Sequence, residues 1–376
     1  MLDEIIDYCS KEKVFGYIIS ESPGPSKRVS FQLNNPPSEI AGCSLKADAE
    51  DFTVEEVLSP AFCAEGEAKY TYLLAEKTNL STSQAMRLVS NTLNVRMKDV
   101  GRSGIKDKRA VAVQWFSVPG VHKNAQERMA GVSEKLKEGR LKILQSGFGK
   151  EPVSIGMHES NRFRIVLRDI SKKLEIKEGR YIFPNYFDTQ RVKLTSAILG
   201  ELLYNLKSRK PGSVETFLKR TANLPLSMKK ADSKFRWGCR LLEEWGENGT
   251  RTLMERLTKQ DKREYLTSLS CCLWNYKLSK FLKEREKDAE EILLRGNALG
   301  TIVLSKNASN QVLESGQIGF AGKMIERSAF AEADVGSIEW KRENSSYACT
   351  IEMELPKGCY ATLFLKWLFA KEAFGN

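Results

Sequence analysis

The sequence Gly104-Ile105-Lys106-Asp107-Lys108-Arg109-Ala110 is followed at once by a strand-like run to residue 118. This heptapeptide places one carboxylate among three cations, three residues after a glycine. Opposite charges nearby stabilise the ionised form of a carboxylate. A loop that delivers an acidic side chain at the mouth of a strand is well placed for chemistry. The alternative is a solvated charge cluster, which the heptapeptide alone favours, because structural ion pairs are common and contribute little.

The elements around this loop predict a rigid support for it. Ser81 and Gln84 form a capping box, and apolar residues at helical spacing predict a helix from Ser81 to Leu93. Helix, loop and strand in succession hold a side chain firmly. The pattern predicts other strands at 45–57 with a bend, 70–76, 141–144, 162–167 and 347–355, and helices at 194–206, 263–284 and after 362. A strand is also expected to start at 300–304.

Composition indicates a polyanionic partner. The 376 residues carry a net charge of +11, and counterion release drives such surfaces onto phosphate backbones. Nucleic acid is the first candidate and an anionic membrane surface the second. No apolar run approaches the roughly 18 to 20 residues that span a bilayer. The first ten residues are acidic and lack a long apolar core, so we expect no signal peptide and a cytoplasmic location.

Several kinds of catalytic site are disfavoured. The eight cysteines form no CxxC pair and there are only two histidines, which argues against zinc and against Ser-His-Asp or Cys-His catalysis. Reduced, buried thiols are the simpler interpretation. The sequence has no GxxxxGK[ST] or GxGxxG loop, so nucleotide hydrolysis and dinucleotide binding are disfavoured too.

Residues 204–240 are strongly basic, with ten lysines and arginines against two acids. Four aromatic residues are interleaved with these charges: Tyr204, Phe217, Phe235 and Trp237. Basic charge with aromatics suits RNA, where bases stack and phosphates pair. The alternative is a helical domain whose polar faces happen to be basic.

Six stretches together resemble the TruD family of pseudouridine synthases, which isomerise a uridine in tRNA. They are Leu45-Lys46-Ala47 with Glu50-Asp51-Phe52-Thr53-Val54, the motif from Ser103 to Val111 with Gln114, Asn161-Arg162-Phe163-Arg164-Ile165 with Arg168, Pro184-Asn185-Tyr186-Phe187 with Gln190-Arg191, Trp274-Asn275, and Leu355 to Thr362. They occur in family order between about residues 45 and 365. One such motif would be weak, but the set is highly specific.

The resemblance implies an α/β (α+β) fold. Its core is a mixed, largely antiparallel sheet bent around a cleft, with an inserted second α/β domain. The catalytic domain would be discontinuous, comprising residues 1–192 and 325–376, and the insertion would span 193–324. The basic cleft between them would hold the RNA.

The resemblance also implies roles for individual residues. Asp107 would be the catalytic nucleophile or base, with Lys46 as its partner cation. Phe52, Asn161, Phe163 and Tyr360 would bind the base. Four further residues would support the site or contact RNA, and they are Lys106, Arg109, Gln190 and Arg191. Uridine isomerisation involves no redox change and no external atom, so no cofactor and no metal is expected.

Asp107 would act on tRNA, at position 13 by family habit, and a monomer is the default expectation. The sequence departs from the family at Asp188, Val192 and Lys193, where glycine, phenylalanine and glycine are usual. A non-glycine residue at a positive φ costs about 1 kcal/mol, so the turn and the placement of the substrate could differ. The competing hypotheses are a non-catalytic tRNA-binding or RNA-folding protein that keeps the fold and, more weakly, an enzyme of the membrane surface.

Overall fold

The computed structural model describes residues 43–133, 140–188, 191, 193–222, 224, 232–284 and 330–374. The described residues form two compact units. One comprises residues up to 181 together with 332–361, and the other comprises those of 182–331 and 362–374. The chain passes from the first unit to the second inside a strand, near residue 181, and it returns to the first unit inside another strand, near residue 331.

Ten strands of the described chain form one sheet. Their bounds are β1 Ser44–Leu45, β2 Phe52–Val57, β3 Tyr70–Thr78, β4 Gly101–Arg102, β5 Val111–Pro119, β6 Arg140–Gly149, β7 Ser160–Ile170, β8 Gly179–Pro184, β9 Phe330–Glu343 and β10 Ser346–Pro356. The order is β6-β3-β5-β2-β7-β10-β9-β8, with β1 beside β7 and β4 beside β5. The fold is therefore mixed α+β with a mostly antiparallel sheet, as predicted.

One pair of neighbouring strands runs parallel, and it positions the site. β2 and β5 pair with Thr53 opposite Val111 and Glu55 opposite Val113. Because parallel strands begin at the same edge of a sheet, the segments that precede β2 and β5 lie side by side. Those segments carry Lys46 and Asp107.

Two helices cover the β3–β5–β6 part of the sheet: α1 Thr82–Leu93 and α2 Ala125–Ser133. Ser81 caps α1, and its hydroxyl accepts the N–H of Gln84 in the predicted capping box. Asn94 ends the helix in the left-handed conformation. The core between helix and sheet contains Leu73, Ala75, Val89, Leu93 and Phe116 among others.

The second unit is mainly helical where it is described, apart from the end of β8 and the start of β9. Its helices are α3 Leu194–Lys207, α4 Ser213–Ala222, α5 Ser233–Trp245, α6 Gly249–Arg256, α7 Lys259–Glu284 and α8 Ala361–Phe374. Phe217 and Phe235 lie edge to face in its core with ring centroids 5.9 Å apart, and Tyr204 is buried as well. These aromatics therefore fill a core and are not exposed for stacking on bases, which favours the helical-domain alternative for residues 204–240.

The predicted strands before residue 170, the predicted helices and the strand near 350 are all present. Strands β4, β8 and β9 and helices α2, α4, α5 and α6 were not predicted individually. β9 buries Ala331, Ala333 and Val335 alternately, and alanine is a poor strand former, so its pattern is weak. The strand expected at 300–304 lies outside the described residues, and the limits 193 and 324 of the inserted domain stay a prediction. Among the described helices none is long and apolar enough to cross a bilayer.

Candidate active site

Asp107 and Lys46 form a close ion pair, although 61 positions separate them in the chain. Lys46 Nζ lies 2.5 Å from Asp107 Oδ2. The Asp107 side chain keeps 35% of its surface exposed and that of Lys46 14%. The carboxylate is thus balanced by one cation on one side and open to solvent on the other. Both properties suit a group that must receive a substrate.

Lys46 holds its position through an unusual backbone. Its φ is +59°, a left-handed conformation that costs about 1 kcal/mol for a residue with a Cβ. Its ammonium also lies over the ring of Phe52, 3.8 Å from the centroid. A cation over an aromatic face is attracted to it. The backbone turn and the ring together direct the ammonium to Asp107.

Three of the predicted base-binding residues share one face of the sheet. Strands β2 and β7 pair with Phe52 opposite Ile165, Val54 opposite Phe163 and Glu56 opposite Asn161. Residues two apart on a strand point the same way, so Phe52, Phe163 and Asn161 all face the side where Lys46 sits. The rings of Phe52 and Phe163 meet edge to face at 5.9 Å. Phe52 and Asn161 are buried, whereas Phe163 is half-buried.

Lys106, next to Asp107 in sequence, points into the protein. Its Nζ lies 3.2 Å from Glu56 Oε1 and donates to Asn161 Oδ1. Burial lowers the pKa of Lys106, although the charge of Glu56 opposes this shift. Glu56 also accepts hydrogen bonds through Oε2, from the Ser103 hydroxyl and from the N–H of Trp115. Lys106 therefore bonds to Glu56 and Asn161, and its ammonium makes no described hydrogen bond to Asp107.

Lys77 supports the same loop from beneath. This lysine is completely buried, and its Nζ donates to the carbonyl oxygens of Asp107 at 2.6 Å and Leu80 at 2.7 Å. Burial lowers the pKa of Lys77 to about 8. Helix α1 adds a further contact, because the N–H of Lys106 donates to Thr82 Oγ1 at 3.0 Å. The backbone of the Asp107 loop is thus fixed from β3 and from α1.

Gly104 allows the loop to pass close to this buried cluster. A Cβ at this position would lie 3.1 Å from Glu56 Oε1 and 3.4 Å from His158 Cε1. His158 is buried, and burial together with the Lys106 charge lowers its pKa, so its imidazole is neutral at pH 7. The ion pair of Lys106 therefore lies against a neutral ring.

The remaining predicted residues are placed as follows. Arg109 is exposed, and its Nη2 donates to the Ala47 carbonyl at 2.5 Å, so it braces the segment that carries Lys46. Tyr360 is half-buried, and it lies in the short segment of the chain that joins β10 to α8. Arg191 is exposed and donates its N–H to the Asp188 carbonyl. Gln190 lies outside the described residues.

Asp188, at the position where the family has glycine, is buried in the second unit. Its carboxylate accepts from the Thr362 hydroxyl and pairs with Lys366 Nζ at 2.8 Å. It is not among the non-glycine residues with a positive φ. The substitution is therefore accommodated without left-handed strain, and the carboxylate anchors the loop to helix α8.

Sequence reasoning missed Glu56 and Lys77. A signal was present for both, because each is a charged residue at a core-facing position of an alternating strand: Glu56 follows Phe52 and Val54, and Lys77 follows Leu73 and Ala75. Buried charges are rarely found without a partner. Within the described residues, no group of three or more potential ligands could hold a metal ion.

Comparisons with known proteins agree on one family. The sequence model for "tRNA pseudouridine synthase D (TruD)" matches residues 37–223, about half of the chain. A tRNA pseudouridine synthase D from Thermus thermophilus is 27% identical over 360 residues, covering 89% of this chain and 91% of the relative. A probable tRNA pseudouridine synthase D from Thermococcus onnurineus is 33% identical over 192 residues, or 47% of this chain, but this match spans only 42% of the relative.

The fold has a counterpart among crystal structures. A Methanosarcina mazei protein provisionally named tRNA pseudouridine synthase D (TruD) aligns with a TM-score of 0.53. The alignment covers 90% of this chain and 96% of that one at 18% identity, so it supports the fold alone. The chain therefore belongs to the TruD family of tRNA pseudouridine synthases.

Proposed function

We propose that this protein converts a uridine of tRNA to pseudouridine and that Asp107 is its catalytic carboxylate. The single observation that carries the proposal is the Asp107–Lys46 pair, which stands beside the face of the sheet that bears Phe52, Asn161 and Phe163. Family membership supplies the reaction and the RNA class. Position 13 of tRNA and a cytoplasmic location belong to the same proposal, by family habit.

The reaction breaks the N1–C1′ glycosidic bond, turns the uracil, and joins C5 to C1′. The proton lost from C5 is balanced by the proton gained at N1. An ionised carboxylate can serve as nucleophile, or as the base that accepts a proton from the sugar or from C5. The Lys46 ammonium stays paired with the Asp107 carboxylate while an RNA base displaces water from it. Phe163, which is half-buried, offers ring surface, and stacking returns roughly 1 to 3 kcal/mol per base toward unstacking the nucleotide.

The test is tritium release from tRNA that carries 5-tritiated uridine. Asp107→Asn keeps the size of the side chain but removes its negative charge, so we expect release to fall to background. Asp99→Asn is the matched control, because Asp99 forms only a short-range surface ion pair with Arg96. Release at the wild-type rate by Asp107→Asn would refute the assignment of Asp107.

A second candidate is a tRNA-binding or RNA-folding protein without catalysis. The observation that favours it is Asp188, whose anchoring to Thr362 and Lys366 has no equivalent in a loop with glycine there. Tight, steeply salt-dependent tRNA binding by wild-type protein, with no pseudouridine detected by mass-shift labelling, would support this function instead.

A further inference from the structure

We propose that Glu56 and Lys106 act as a buried positioning pair. They fix the Asn161 amide so that its NH₂ group, and not its oxygen, faces the bound uracil. This inference rests on the proposed function and adds the atom through which the base is recognised. Neither the family match nor the fold determines the orientation of the Asn161 side chain.

The pair is enclosed and well bonded. The Glu56 side chain is fully buried and that of Lys106 is 8% exposed. Oε2 of Glu56 is held by the Ser103 hydroxyl and the Trp115 N–H, which leaves Oε1 for the Lys106 ammonium at 3.2 Å. The Glu56 carboxylate has two hydrogen bonds through Oε2 and one ion-pair contact through Oε1, and both it and the ammonium are buried, so they have little freedom to rearrange. The Lys106 ammonium is therefore a fixed donor.

The contact with Lys106 decides the orientation of the Asn161 amide. An ammonium has three donors and no acceptor, so the atom that receives its hydrogen bond must be Oδ1. The NH₂ group must then point the other way. Within the described chain Nδ2 has no hydrogen-bond partner, and it is not among the fully enclosed polar atoms. Asn161 thus offers an unused pair of N–H donors.

These donors lie where a base would bind. Asn161 and Phe163 are two residues apart on β7 and face the same side of the sheet, the side of Phe52 and Lys46. A base stacked against the half-buried ring of Phe163 presents its edge to Asn161. A donor at that edge pairs with a carbonyl oxygen, and uracil carries two of them, O2 and O4.

The reaction gives a reason for a donor at this point. A half-turn of uracil about its N3–C6 axis puts C5 where N1 was, and it also exchanges O2 with O4. A fixed NH₂ group therefore meets a carbonyl oxygen both before and after the base has turned. Cytosine has an amino group at C4, so in one of the two orientations it would set donor against donor. A site built to hydrogen-bond one group rejects an analogue that cannot do so.

The first experiment replaces the hydrogen-bond donor of Asn161 that faces the base with an acceptor. Asn161→Asp keeps an oxygen for Lys106 and replaces the NH₂ group with a second acceptor, at almost the same size. We expect kcat/KM for uridine in tRNA to fall about 100-fold, because acceptor then faces acceptor. Binding of whole tRNA should change little, because phosphate contacts dominate it. Wild-type kcat/KM in Asn161→Asp would overturn the proposal.

The second experiment tests whether Lys106 acts through Asn161. The variant with Glu56→Gln and Lys106→Met removes both charges together, so no uncompensated charge is left buried. We expect about a 10-fold loss of kcat/KM, because the amide is free to turn, and no further loss when Asn161 is already alanine. Additive losses in the two backgrounds would overturn the positioning role.

A binding measurement separates this inference from the proposed function. If the wild-type protein forms no pseudouridine in total tRNA, the proposed function fails by itself. The amide is then tested with uridylate and abasic oligonucleotides of equal length. A preference of the wild type for uridylate that shrinks in Asn161→Asp supports the inference, and an equal preference in both proteins overturns it.

Discussion

Replacing Lys77 with methionine should change the pH dependence of stability more than stability itself. At neutral pH the buried ammonium is charged, and its two hydrogen bonds hold the Asp107 and Leu80 carbonyls. Methionine fills a similar volume without a charge. It removes the penalty for burying the ammonium and leaves two carbonyls unpaired, at about 1 to 3 kcal/mol each. The first change stabilises the folded protein and the second destabilises it.

The magnitude follows from the pKa of Lys77, which burial lowers from 10.5 to about 8. That difference corresponds to about 3 kcal/mol of unfavourable burial of the charged form. The two changes made by Lys77→Met therefore nearly cancel at pH 7. Because the unfolded chain binds the proton more tightly than the folded one, the contribution of Lys77 to stability rises as pH increases from about 8 to about 10.5. At pH 10 the wild type should have gained about 2 to 3 kcal/mol relative to Lys77→Met.

The assay is urea unfolding of both proteins at pH 7 and at pH 10. Comparing the two proteins at each pH cancels the contribution of groups that titrate in both. Lys142→Met is the matched control, because Lys142 is an exposed lysine on the adjacent strand β6. Its difference from the wild type should be the same at both pH values. A Lys77→Met difference that is equally independent of pH would refute the reasoning. Tritium release at pH 7 should fall about 10-fold in Lys77→Met, because the Asp107 carbonyl loses its tether.

Three further predictions follow from single ion pairs. Lys46→Met should lower kcat about 100-fold with little change in tRNA affinity, because the Asp107 carboxylate loses its cation. Equal losses in kcat and affinity would contradict this. For Asp51, burial raises the pKa, but hydrogen bonds from Arg168 outweigh burial and lower it. Asp51→Asn should therefore be about 2 kcal/mol less stable than wild type at pH 7. This difference should shrink below about pH 4, where protonation of Asp51 breaks its ion pair with Arg168 in the wild type too. A difference in urea unfolding that stays constant from pH 7 to pH 3 would count against this prediction. Asp188→Gly should cost about 3 kcal/mol of unfolding free energy, because it leaves the Lys366 ammonium buried without its partner; an unchanged urea midpoint would show that the pair is dispensable.

The sequence predicts much of the fold because the signals near Asp107 are local. The capping box of Ser81 and Gln84 and the alternation around Phe52 each depend on residues a few positions apart. The parallel pairing of β2 with β5 is different, since it joins segments more than fifty residues apart and leaves no periodic trace. β9 escaped prediction because alanines at its buried positions resemble those of a helix or a loop.

For the candidate site, too, some features were predictable from the sequence and others were not. The motif around Asp107 and the family resemblance together identify Lys46, Phe52, Asn161 and Phe163, and the structure brings these residues to one place. The direction of each charged side chain was not predictable. Lys106 looks like a partner for its neighbour Asp107, but it points to the buried carboxylate of Glu56 on β2. The alternation of β2 marks Glu56 as a core-facing charge, but no local pattern shows which cation pairs with it.

The parallel pairing of β2 with β5 also has a consequence for synthesis on the ribosome. A ribosome that has made β2 must add the whole crossover, including β3 and α1, before β5 can dock beside it. Until then the segment that carries Asp107 is not held beside Lys46, so the ion pair between them lacks its support. Shortened chains that end before Val111 should therefore form the α1 helix without the contacts that surround the Asp107 carboxylate in the folded protein.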